Sequence, residues 1–105
     1  MHSSNPDAET VICTLRANEA ALRARGITHA ALFGSRARGD NTQDSDIDIL
    51  IETDPDVLTD LYGYAAIKAA VAALFDAGVD VDVVNRDFLK PSIRPVAENH
   101  LIHAF

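Results

Sequence analysis

Asp46 and Asp48 flank a single isoleucine in the run Ser45-Asp46-Ile47-Asp48-Ile49-Leu50-Ile51-Glu52. In an extended strand successive side chains leave on opposite faces, so both aspartates share one face and Ile47, Ile49 and Ile51 share the other. The carboxylates then project together, roughly 6–7 Å apart along the strand. Like charges held that close repel each other, and a divalent cation is the best reason for a fold to keep them there. Alone, the pattern also describes a solvated strand face. Two neighbouring segments favour the metal: Gly34-Ser35, separated from Asp46 by ten residues, and Val79-Asp80-Val81-Asp82-Val83-Val84, which repeats the alternation downstream.

Catalysis assisted by divalent ions needs carboxylates on a rigid support, with a third supplied from a neighbouring strand. Asp46 and Asp48 supply two; Asp82 is the expected third, with Asp80 on the same face in reserve. A sparse, acid-only set suits Mg²⁺, which takes a few carboxylates together with water and phosphate oxygens. No Cys or His cluster has zinc spacing. At the other end, Gly34 lets backbone approach a phosphate closely and Ser35 offers a hydroxyl and an N–H. Arg36 and Arg38 add positive charge, and Gly39 permits a second sharp turn. A triphosphate lying between these donors and the metals would have its leaving pyrophosphate and its attacked phosphorus served separately. The alternative for Arg36 and Arg38 is structural, pairing with Asp44 or Glu52.

Other motifs fail on particular residues. Gly34 to Gly39 has the Walker glycine spacing, but Asp40-Asn41 stands where Lys and Ser/Thr are required. A calcium loop starting at Asp44 would need glycine at Ile49 and a bidentate glutamate at Pro55. The glycine spacing is also wrong for a dinucleotide turn. His100 and His103 stand one helical turn apart and read as solvated or partner-facing; His29 reads as a polar-face strand residue. Cys13 lines up with Ala17, Ala20 and Ala24 at helical spacing, the pattern of a small packing residue.

These groups need elements to hold them. Asp7 is a cap for a helix over 8–25, with Ala8, Val11, Ile12, Leu15 and Leu22 on one face, interrupted at Asn18 and ended by Gly26. Ile27 to Phe33 reads as the first strand, Gly34 to Asp44 as a loop or tight turn, and Asp46 to Glu52 as the second strand. An Ala-rich helix follows from Val57 to Ala77, ending at Gly78, with a possible break at Gly63. Val79 to Val84 is the third strand. Pro91 opens a final helix that docks through the apolar residues leading to Phe105. The order predicts an α+β sandwich, helices packed on a small sheet.

The 105 residues make one domain, 1–105, with 48% hydrophobic residues for its core. No apolar run is long enough for a membrane span, and the polar N-terminus lacks the order of a secretory signal. One cysteine permits no internal disulfide and fits a cytoplasmic setting. A net charge of −7 argues against a general grip on nucleic acid.

Gly34-Ser35-Arg36-Ala37-Arg38-Gly39 followed by Ser45-Asp46-Ile47-Asp48-Ile49-Leu50 closely resembles the minimal nucleotidyltransferases of the polymerase-β-like superfamily. Their pattern is GSxARG, then SDxDL, then a VDLV-like strand, matched here by Val81-Asp82-Val83-Val84. The resemblance covers nearly the whole chain from Ile27. It implies a polymerase-β-like fold, a small mixed sheet flanked by helices, with the Asp-bearing strands adjacent. It also implies ATP as donor, Asp46, Asp48 and Asp82 on Mg²⁺, and Gly34, Ser35 and Arg38 on the nucleotide. Members of this size often act as antitoxins beside a HEPN-domain toxin, transferring AMP to one of its tyrosines. The alternative is an antitoxin that neutralises by binding alone. The larger relatives' acceptor-binding domain is missing here, which fits an acceptor supplied in trans.

Overall fold

A computed structural model describes residues 7–34, 37, 39, 46–56, 61–75, 79–86 and 101–105 of the chain. Asp7 caps α1 (Ala8–Ala17), its side chain accepting from the Thr10 N–H at 2.8 Å. That hydrogen bond holds the Asp7 carboxyl below its ordinary value of 3.8, because the ionised form is the better acceptor. The predicted single helix is two. At Asn18 the side-chain amide donates to the Thr14 carbonyl at 2.8 Å and the backbone leaves helical geometry, with φ −109° and ψ 13°. Asparagine competes for local backbone groups in this way, and α2 (Glu19–Ala24) restarts beyond it. Gly26, at φ 105°, turns the chain into the sheet.

β1 (Ile27–Phe33) pairs antiparallel with β2 (Ile47–Thr53). An irregularity between Ile27 and His29 shifts the register, so Ile27 faces the core although it is out of step with Ala30 and Leu32. From β2 the chain passes through α3 (Leu61–Ala72) to β3 (Val81–Asn85), which lies parallel to β2. α3 ends five residues before the predicted Ala77, in turns at Ala73 and Leu74, and runs unbroken through Gly63. Residues 57–60 and 76–78 lie outside the described residues.

The end of the chain corrects the prediction. Ile102–His103 form β4, antiparallel to β1, where a docked helix was expected. The helix predicted from Pro91, and His100, fall outside the described residues. Two arginines fasten β4: Arg16 donates to the Ala104 carbonyl at 2.9 Å and the His103 carbonyl at 3.3 Å, and the Arg23 guanidinium lies 4.9 Å from the Phe105 ring centre. His103 is therefore an exposed strand residue, and its pairing with Ala31 replaces the helical spacing assumed for it.

The sheet order is β3-β2-β1-β4, mixed in direction, with α1, α2 and α3 contributing to one core on one face. Val11, Ile12, Leu15 and Leu22 pack from α1 and α2, and Ile67 and Val71 from α3, against Leu32, Ile47, Ile49, Ile51 and Val83. Cys13 belongs to none of this. It is exposed, as are Ala17, Ala20 and Ala24, because that stripe lies opposite the apolar one. None of the described helices is long and apolar enough to cross a membrane.

Candidate active site

The face of the sheet away from the helices carries the even-numbered residues of β2. Phe33, the last residue of β1, pairs with Asp48, and the next residue is Gly34. Its φ of +76° is left-handed, a conformation that strains any residue with a side chain. A side chain would also have to displace Asp48. A Cβ at Gly34 would collide with Asp48 Oδ2 and stand 3.0 Å from its Cγ. Glycine is thus favoured twice, by its backbone conformation and by the Asp48 carboxylate beside it.

Beyond Gly34, Ala37 packs against the core and Gly39 adopts a second left-handed conformation, φ +83°. Ser35, Arg36 and Arg38 lie outside the described residues.

Asp48 pairs with Asp82 across the parallel β2–β3 ladder. Paired residues in a parallel ladder share a face and stand about 4.8 Å apart, so Asp82 is on the carboxylate face beside Asp48. Asp46 immediately precedes β2 and has the same parity. The Asp80 carbonyl accepts from the Ile47 N–H at 2.9 Å, which puts Asp80 next to the Asp46 end of the ladder. Asp46, Asp80 and Asp82 are exposed and Asp48 is half-buried. Among the described residues no three acidic, imidazole or thiol groups converge into a ready metal cluster. What the backbone supplies is the shared face and the register.

The donor set is compatible with Mg²⁺. It consists of carboxylates on two hydrogen-bonded strands, with Gly34 close against the Asp48 carboxylate.

Farther along the same face a groove of about 370 Å³ opens over Ala31 and Leu50, rimmed by His29, Glu52, Arg86 and His103. Glu52 faces Arg86 at 3.4 Å. The groove was not read from the sequence. The parity of Glu52 with Asp48 was its available signal, but the contributions of β1 and β4 depend on strand order.

A glycine turn at the end of one strand, aspartates alternating along the next and a further aspartate paired beside them define a nucleotidyltransferase core. The family comparison agrees: residues 16–103 match the model of the nucleotidyltransferase domain, and the chain belongs to that family. It is 30% identical over 96 residues to the protein adenylyltransferase MntA of Thermococcus cleftensis, covering 90% of this chain and 93% of the relative. A solved minimal nucleotidyltransferase superposes with a TM-score of 0.74 at 31% identity, over 95% of this chain and 98% of that one. A toxin–antitoxin structure with AMP-PNP matches in fold, with a TM-score of 0.64 at 19% identity over 86% and 72% of the two chains.

Proposed function

We propose that this chain transfers the AMP group of ATP to a tyrosine hydroxyl of a HEPN-domain toxin and so acts as its antitoxin. The acceptor oxygen forms a bond to the α-phosphorus, and the bond from that phosphorus to the bridging oxygen of pyrophosphate breaks. The hydroxyl proton passes to a carboxylate on the Asp48–Asp82 face, and the products are an AMP–tyrosine ester and pyrophosphate. Asp46, Asp48 and Asp82 hold Mg²⁺, which when bound neutralises charge on the phosphates. Gly34 gives the triphosphate close access to backbone, with Ser35 and Arg38 as its further donors.

The observation that carries this reading is the Asp48–Asp82 pairing directly beside Gly34. The protein acceptor is supported by the protein adenylyltransferase relative, and the toxin partner by the toxin–antitoxin structure of the same fold. The deciding experiment is intact-mass spectrometry of the proposed HEPN-domain toxin, incubated with the chain, ATP and Mg²⁺. A mass increase of one or more AMP groups, located on tyrosine and absent with Asp48→Asn, is expected. An unmodified toxin that is nonetheless neutralised, equally well by Asp48→Asn, would leave binding alone as the activity.

A further inference from the structure

We infer that Tyr64, on α3, is a positioning residue for Asp82, acting through the outer edge of β3; the inference rests on the reading of Asp82 given above. Among the described residues β3 is an edge strand, neighboured only by β2 in the sheet. An edge strand presents one row of backbone groups with no ladder partner. In a parallel ladder, alternate residues turn their N–H and C=O toward the neighbour. Because the Asp80 carbonyl bonds to the Ile47 N–H, Asp80, Asp82 and Val84 turn inward toward β2, and Val83 and Asn85 turn outward.

The Tyr64 hydroxyl meets those outward groups. It donates to the Val83 carbonyl at 3.2 Å and accepts from the Asn85 N–H at 3.1 Å. One hydroxyl therefore does for the open edge what a fifth strand would do, at the residue after Asp82 and two residues beyond that. The ring is itself held, with the Lys68 ammonium 5.4 Å from its centre, one helical turn along α3. A second tie works from the opposite side of the strand. The Asn85 side-chain amide, 1% exposed, donates to Thr53 Oγ1 on β2 at 2.8 Å. β3 is thus pinned from its free edge by α3 and from its paired edge by β2. These two ties set how far along β2 it lies.

Register is what this site cannot lose, because slipping a strand by one residue sends every side chain to the other face. Asp82 would then point into the core and Val83 toward the nucleotide. Smaller displacements move the Asp82 carboxylate relative to Asp48 without unfolding anything. Groups that orient a metal-holding carboxylate typically matter about 10–100-fold in metal affinity or activity.

The test compares wild type, Tyr64→Phe and Ile67→Val, the last a core change on the same helix that loosens packing and leaves the hydroxyl in place. Three quantities are read: Mn²⁺ affinity by electron paramagnetic resonance, hydrogen exchange at the Asn85 amide, and kcat and the KM for ATP in toxin modification. Tyr64→Phe is expected to exchange Asn85 faster and to bind Mn²⁺ about tenfold more weakly. Its kcat falls in proportion while the KM for ATP holds. Ile67→Val leaves Mn²⁺ affinity and kcat at the wild-type level. Wild-type Mn²⁺ affinity in Tyr64→Phe, or an equal loss in Ile67→Val, overturns the inference. If wild type modifies no toxin, the proposed activity fails on its own, and the Mn²⁺ and exchange measurements still decide the role of Tyr64.

Discussion

Along β2, neighbouring residues live in different solvents. Ile47, Ile49 and Ile51 are at most 1% exposed and lie under α1, α2 and α3, whereas Asp48 and Glu52, with Asp46 just before the strand, look out from the other face. One face is continuous with the core, filled by Leu15, Leu32, Val71 and Val83. The other carries the Asp48–Asp82 pair, the Gly34 cradle and the groove over Leu50. The difference separates two kinds of necessity within a seven-residue strand. The isoleucines hold the sheet against the helices by burying apolar surface. The aspartates lie outside that core, and the proposed function assigns them to a bound ion and a phosphate.

That contrast is sharpest at adjacent positions. Asp48→Asn is expected to cut AMP transfer by about 10³-fold, roughly 4 kcal/mol of transition-state stabilisation. Its melting temperature should stay near the wild-type value, since Asp48 is half-buried and lies outside the apolar core. A melting temperature well below wild type would mean that Asp48 belongs to the architecture. The complementary change one residue away is Ile49→Ala, expected to cost about 2–5 kcal/mol of unfolding free energy in a denaturant titration. The protein that remains folded should keep near-normal turnover, and loss of activity per folded molecule would blur the division between faces.

Gly34→Ala touches both accounts. The left-handed backbone costs about 1–3 kcal/mol with a side chain present, and the new methyl displaces the Asp48 carboxylate. Displacements of about 1 Å reduce rates on the order of 10²-fold, so its activity should fall further than its stability predicts. An activity loss explained wholly by unfolding would dismiss the cradle.

The smallest effect belongs to the helix side. Asp7→Ala removes the cap on Thr10 and should lower the melting temperature slightly without changing turnover per folded molecule. Its sign with pH follows from a carboxyl whose folded value lies below 3.8. The stabilisation is present above 3.8 and is lost as pH falls through the lower folded value. The gap between wild type and Asp7→Ala should therefore be full at neutral pH and close in strong acid; a gap that widens in acid would contradict the assignment.

Much of this architecture is written in local pattern. The alternation at 46–52 and 79–84 assigned the faces of β2 and β3, because a strand has a side-chain period of two whatever surrounds it. Asp7 and Gly26 marked the limits of the first helical segment for equally local reasons: an acceptor for a free N–H, and a left-handed turn. The Asn18 interruption was visible as a flaw in the stripe, though only hydrogen bonding made it a boundary. Cys13 and its alanines were misread because small residues at helical spacing look alike on a buried and an exposed face.

What no local pattern contained was the company each strand keeps. β4 is two residues long, and it exists because β1 offers an open edge and Arg16 and Arg23 hold the last residues against it. Likewise, the Asp-x-Asp spacing determined that Asp46 and Asp48 point the same way. Only the placement of β3 beside β2, in parallel and in this register, decided that Asp82 stands next to them. The physical reason is range: side-chain direction is set by the backbone within two residues, whereas register is set by packing and hydrogen bonds between segments more than thirty residues apart.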